Sequence, residues 1–410
     1  MKPGKRNGKE VVGIALAGAG ARGAYEAGVL SVLLPVMEEF DERPTVWLGT
    51  SAGAMNAALF ASLGHLPAKE AADAALSRWR QVHRSDVVSP LLGSGLRNGV
   101  RYVAEVAGMA GRIESMLDPA PLWRTVNSWM DWEQLHTNTA VPDGPIDAVG
   151  VAATEFGAYR TSIFVEGRLA GALPPADDKR GVDYRKASLR PEHIMASAAI
   201  PVAFPSVSVH SEPDDSGAWY LDGGVRLNAP LKPAIALGVD KLVVVATAPV
   251  DRTRPPMNTR QGDRPDIFDA AGDWLHAGLV DRMIEDLRTL SNLNELIPSA
   301  ADGAARPNGR RTRRVIPYIF AGPVREGEIA ALAGDAFKTR YGQGLLGGWG
   351  LNLWLLNRLL GGSASRSELF SHLFFEPQFI EAAITLGAAD AWRLVDSARN
   401  GLPWRTGPIS

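Results

Sequence analysis

The 410-residue chain contains no cysteine. Disulfides, thiolate nucleophiles and Cys-ligated zinc or iron–sulfur centres are therefore excluded, and the redox compartment leaves no mark on the sequence. A charge excess is missing too: 43 Lys and Arg stand against 45 Asp and Glu, a formal net charge of −2. No global basic field draws the chain to nucleic acid or anionic lipid, so no nucleic-acid partner is expected. Long apolar runs are also absent, and nothing approaches the roughly 18 uninterrupted residues of a spanning helix. Histidine is scarce at seven. What remains is 46% hydrophobic and 21% charged, which excludes a disordered or fibrous chain. At about 150 residues per domain, the length suggests two to three domains.

Lys2, Lys5, Arg6 and Lys9 precede the apolar run 11–17 and imitate a secretory signal. The run is short and passes straight into a Gly-rich segment holding Arg22, so the imitation reads as accidental. The expected location is cytoplasmic, at most peripheral at a membrane.

Residues 1–10 read as a flexible basic arm. Val11 to Leu16 is a continuous apolar run, the pattern of a strand buried on both faces. Residues 21–39 have helical spacing, 45–48 read as a second strand and 52–63 as a helix rich in small residues. This order argues for an α/β unit with a parallel sheet. Segments 146–154, 161–165, 219–221, 241–246 and 315–320 read as further strands, and 267–297 as a long amphipathic helix. Residues 251–265, rich in Arg and Pro, form a linker, and the rest of 251–410 reads as mostly helical.

The sharpest local signal is Gly49-Thr50-Ser51-Ala52-Gly53 between a strand and a helix. A tight strand-to-helix turn lifts a serine hydroxyl clear of the sheet, and flanking glycines relieve the crowding. The competing reading is a plain helix start, with Thr50 or Ser51 as its N-cap. Upstream, Gly18-Ala19-Gly20-Ala21-Arg22-Gly23 offers backbone N–H groups suited to a phosphate or an acyl-transfer oxyanion. Its spacing also satisfies a dinucleotide fingerprint. That fingerprint needs an acidic residue ending the next strand, where this chain has Gly49-Thr50-Ser51. A third element, Asp222-Gly223-Gly224, follows the apolar run 219–221. Asp-Gly there reads either as a hairpin turn or as a base at a strand end, the latter requiring a desolvated setting that raises its pKa.

Taken together and in this order, the three motifs resemble the patatin-like phospholipase family, as do segments 151–156 and 196–205. The resemblance spans residues 11 to 246. Segment 267–297 and the tail 375–391 resemble the C-terminal extension of bacterial members. It implies a three-layer α/β fold with a mainly parallel central sheet over 11–250 and a largely helical extension over 251–410, packed on or beside it. It further implies that Ser51 is the nucleophile, Asp222 its partner in a Ser–Asp dyad, and an acyl-serine the intermediate in hydrolysis of a phospholipid or other acyl ester. The N–H groups of Gly18, Ala19, Gly20 and Ala21 are then the oxyanion candidates. The family has three glycines where this chain has Gly18-Ala19-Gly20, and an alanine resists positive φ. Arg22 matches the family arginine, either pairing with a carboxylate or meeting an anionic head group. Neither cofactor nor metal is required; Asp177-Asp178 and Asp214-Asp215 read as solvated faces rather than calcium sites.

Two other classes stay open on the sequence. One is an α/β-hydrolase with a Ser–Asp–His triad, for which only His276 and His372 follow Asp222. The other is a non-catalytic lipid-binding or scaffold protein that keeps the fold. The apolar segment 345–360 reads as a buried helix or an interfacial lid making transient membrane contact. The arginines at 306–314 read as a solvated loop.

Overall fold

The computed structural model describes residues 5–6, 9–87, 115, 117–201, 203–210, 217–250, 282–297, 314–341, 364–398 and 401–409. Segments 251–265 and 345–360, most of the 306–314 arginine cluster, His276 and the pair Asp214-Asp215 lie outside them.

The apolar runs near the N-terminus become β3 (Val12–Leu16) and β4 (Val46–Thr50), buried along their whole length. With β5 (Ala148–Glu155), β10 (Lys241–Val245) and β11 (Tyr318–Ala321) they form a parallel block ordered β11-β10-β3-β4-β5. Strand β6 (Arg160–Glu166) runs antiparallel along β5, and β7 (Val182–Lys186) lies parallel to β6. Two further strands, β8 (Val207–Val209) and β9 (Ala218–Asp222), pair antiparallel with each other. A small antiparallel pair, β1 (Lys5–Arg6) and β2 (Lys9–Glu10), precedes the sheet. The arm expected to fray is therefore partly paired, and the Glu10 carboxylate meets Lys241 Nζ at 2.9 Å.

Side chains alternate between two apolar layers, as a pleated strand requires. Val12, Ile14 and Leu16 face a core shared with α1 (Gly23–Glu39), α2 (Ala52–Ser62) and α3 (Ala68–Arg80). Val11, Ala15 and Ala17 face the opposite core, with α7 (Leu231–Leu237) and α8 (Arg282–Glu295). Between them come α4 (Ala120–Trp129), α5 (Trp132–Ala140) and α6 (Pro191–Ser197). The result is a three-layer α/β fold with a mostly parallel central sheet.

Beyond residue 250 the described chain adds β11 to the sheet and then α9 (Glu328–Tyr341), α10 (Ala364–Leu373) and α11 (Pro377–Asp396). Helix α11 lies along α1, where the buried Tyr25 hydroxyl donates to Asp390 at 2.8 Å. Burial pushes the Tyr25 phenol well up, reinforced by the neighbouring Asp390 carboxylate. Among the described residues no helix is long and apolar enough to cross a membrane.

Candidate active site

Ser51 sits between β4 and α2 with φ 54° and ψ −124°, a conformation that non-glycine residues rarely adopt and that must be held by its surroundings. It occupies the N-cap position of α2, yet its side chain makes no capping bond. The turn is as tight as its glycines permit: a Cβ on Gly49 would lie 2.1 Å from the Gly53 carbonyl oxygen, and one on Gly53 would lie 2.4 Å from that of Ala17. The Ser51 N–H donates to Ser197 Oγ at 2.8 Å, and that hydroxyl donates to the Ala152 carbonyl at 2.6 Å. The strained turn is thus tied to β5.

The partner carboxylate arrives through strand register. Strand β4 pairs with β5 from Ala148 to Ala152 and stops at Thr50. The other edge of β5 is occupied by β6 throughout. Strand β9 therefore joins on the β4 side, antiparallel, with Asp222 opposite Ala153. Parallel β4 and antiparallel β9 converge end to end along one edge, so their C-terminal residues meet. The Ser51 side chain thereby comes near enough to the Asp222 carboxylate to pull its pKa down. Asp222 Oδ1 also accepts the Gly224 N–H at 2.7 Å, while its own N–H donates to the Ala199 carbonyl at 2.9 Å and its carbonyl accepts Thr154 Oγ1 at 3.0 Å. No hairpin follows: Gly223–Val225 makes a 3₁₀ turn capped by the Asp222 side chain.

Ser51 and Asp222 are each only 6% exposed. Burial pushes the Asp222 carboxyl up to about 6, against the opposing pull of the hydrogen bonds from Ser51 and Gly224. The desolvated setting that a base at this position requires is therefore present.

The Gly-rich loop is assembled differently from the sequence expectation. Gly18 lies beside Ser51, but its N–H is taken up by Asn228, donating to the carbonyl at 2.9 Å and to Oδ1 at 3.0 Å. Gly18 is thus removed from the oxyanion candidates and becomes an anchor of the loop. Ala19 has φ −141°, so its Cβ meets no positive-φ penalty; the positive φ, 56°, falls on Gly20. The N–H groups of Ala19, Gly20 and Ala21 take no hydrogen-bond partner from the described residues. Gly23 closes the 3₁₀ turn, its N–H donating back to the carbonyls of Gly20 and Ala21. Arg22 is buried and turned toward α10, where it forms an ion pair with Glu368 and donates Nε to Ser371 Oγ at 2.8 Å. The carboxylate pairing expected of it is present.

Ser51 and Gly20 open onto a pocket with about 550 Å³ of empty space, the open solvent at its mouth included. Its walls are almost wholly apolar, Met55, Trp79, Trp129, Phe204, Leu373 and Phe375 among them. His372 also lines it, its Nδ1 2.9 Å from the Ala19 carbonyl oxygen. The groups acting on the Asp222 carboxyl are the Ser51 side chain and the Gly224 N–H, with no histidine among them in the described residues. Asp177 and Asp178 pair with Arg180 and Arg160 respectively.

The sequence reading missed Asn228, Ser197, Glu368 and Ser371, and it singled out His372 only as a possible triad histidine. Nothing local marks them: Asn228 acts 210 positions from its partner, and Ser197 is one more small residue in an alanine-rich stretch.

A family model described as Patatin-like phospholipase matches residues 14–235, a span that holds Ser51, Asp222, Asn228 and the whole Gly-rich loop. No curated protein matches the chain. Among solved structures, VipD from Legionella pneumophila is similar at 15% identity with a TM-score of 0.31, over 78% of this chain. The match spans 64% of the VipD chain. With more than half its length matched by the family model, and with that match enclosing every motif that first suggested it, the chain belongs to the patatin-like phospholipase family.

Proposed function

We propose that this protein is a serine acyl hydrolase that cleaves fatty-acyl esters of phospholipids or related lipids through a Ser51–Asp222 dyad. The observation that carries the reading is the juxtaposition of a buried serine on a strained strand-to-helix turn with a desolvated carboxylate whose pKa that serine lowers. An aspartate with its pKa near 6 is ionised at neutral pH, yet basic enough to receive the serine proton as the hydroxyl attacks.

In the first half-reaction Asp222 takes that proton while Ser51 Oγ bonds the ester carbonyl carbon. The carbonyl oxygen becomes an oxyanion, met by the backbone N–H groups of the 19–21 loop. Collapse expels the alcohol, which leaves with the proton from Asp222, and the acyl group stays on Ser51. In the second half, Asp222 takes a proton from water as the oxygen attacks the acyl-serine. The fatty acid departs and Ser51 recovers its proton. The apolar pocket suits an alkyl chain, whose burial there is favourable by roughly 0.8 kcal/mol per methylene. Phospholipase A, lysophospholipase and esterase activities share this step, and reaching a lipid ester entails transient contact with a lipid surface.

The test is hydrolysis of a long-chain phosphatidylcholine in mixed micelles, following free fatty acid by mass spectrometry. Wild type should release fatty acid, while Ser51→Ala and Asp222→Asn should lose at least about a thousandfold in kcat. Undiminished turnover in Ser51→Ala would end the assignment.

A further inference from the structure

Helix α10 grips the Gly-rich loop at three points. Arg22 reaches Ser371 and Glu368, Gly20 presses against the backbone of His372, and His372 Nδ1 meets the Ala19 carbonyl oxygen at 2.9 Å. A Cβ on Gly20 would lie 2.3 Å from the His372 carbonyl oxygen, so loop and helix are in direct backbone contact. A carbonyl oxygen can only accept, so Nδ1 carries the hydrogen and donates. All peptide bonds described are trans. In a trans peptide the C=O of Ala19 and the N–H of Gly20 point in opposite directions. Fixing one aims the other away from the imidazole, and Gly20, Ser51 and His372 all line one pocket.

We propose that His372 is a positioning residue: it holds the Ala19–Gly20 peptide so that the Gly20 N–H serves as an oxyanion donor, making α10 part of the catalytic machinery. This rests on the acyl-hydrolase reading above and deepens it. His372 transfers no proton in this role; its Nδ1–H is spent on the loop, and the carboxyl on which the serine acts is Asp222. The bond also locks Gly20 in its positive-φ conformation, which a looser loop would be free to leave.

Asn and Leu have nearly the same shape, and only Asn keeps a side-chain donor. The test therefore compares His372→Asn with His372→Leu in the full chain, with His372→Phe as a second donorless variant that keeps a ring. Each is assayed for kcat and KM on p-nitrophenyl butyrate, for the rate of Ser51 labelling by a fluorophosphonate, and for its melting temperature. Removing an oxyanion donor outright costs 10²–10³ in kcat, so a donor left misaimed should cost roughly 10- to 100-fold. The expected result is a loss of that size in both donorless variants with KM within about twofold, and recovery to within about threefold in His372→Asn. Wild-type kcat in a folded His372→Leu or His372→Phe overturns the inference alone, because wild-type labelling of Ser51 keeps the hydrolase reading standing. Loss in His372→Asn as deep as in Ser51→Ala assigns the imidazole to proton transfer and overturns the positioning role. A wild type that neither labels nor turns over overturns the hydrolase reading, and this inference with it.

Discussion

Asp222 is asked both to be buried and to be ionised. Desolvation holds its carboxyl near 6 rather than in the ordinary aspartate range, and the Ser51 and Gly224 hydrogen bonds keep it from rising further. The consequence for turnover has a definite sign. The base works only when deprotonated, so kcat/KM should be level above about pH 7 and fall on the acid side with an apparent pKa near 6, approaching tenfold per unit below it. A pH–rate profile with a small soluble ester checks this, and a profile flat down to pH 4.5 would mean that another group takes the proton. At this scale the sequence was partly readable. Ser51 and Asp222 stood out because each sits in a motif whose residue types have a mechanical reason. Ala19 looked like a departure, yet it meets no backbone penalty: the turn places its positive φ one residue later, on Gly20. Asn228 acts through atoms that come near the loop only after folding, and His372, singled out only by its position after Asp222, meets the loop in the same way.

At the scale of elements, the nucleophile turn depends on β4 and β9 sharing one edge of β5 and on Ser197 locking that junction. Ser197 links the Ser51 N–H to the Ala152 carbonyl, both buried. Replacing it with alanine leaves a donor and an acceptor unsatisfied. We expect Ser197→Ala to lose about 1–3 kcal/mol in stability, read from urea unfolding, together with a fall in kcat as the turn loosens. Stability and kcat both equal to wild type would show that the turn is held by its glycines alone. The parallel strands were legible because each is a continuous apolar run buried on both faces. Strand β7 was not: Val182-Asp183-Tyr184-Arg185-Lys186 is an edge strand, mostly half-buried and mostly polar, and it lacks that signature. Strand β8 has only three residues, too few to show a period.

For the whole molecule, the pocket is what joins the two ends of the chain. Trp79 and Trp129 come from helices of the N-terminal half and pack edge to face, with ring centroids 5.0 Å apart, while Leu373 ends α10 and Phe375 follows it. The sequence told of a helical C-terminal segment but could not tell that it completes the site, since that depends on where α10 docks. An acyl channel built this way should reward chain length. Across p-nitrophenyl esters from acetate upward, kcat/KM should rise by roughly fourfold per methylene until the pocket is full, then level off. A flat series would show that the pocket does not hold the acyl chain.

The central claim is that the Ser51 hydroxyl is the nucleophile and that Asp222 makes it one. Intact-mass and peptide mass spectrometry after brief exposure to a fluorophosphonate tests both halves at once. The account predicts a single adduct on the peptide carrying Ser51, none in Ser51→Ala, and labelling slowed by at least about a hundredfold in a folded Asp222→Asn. An adduct on another residue, or labelling of Asp222→Asn at the wild-type rate, would contradict it.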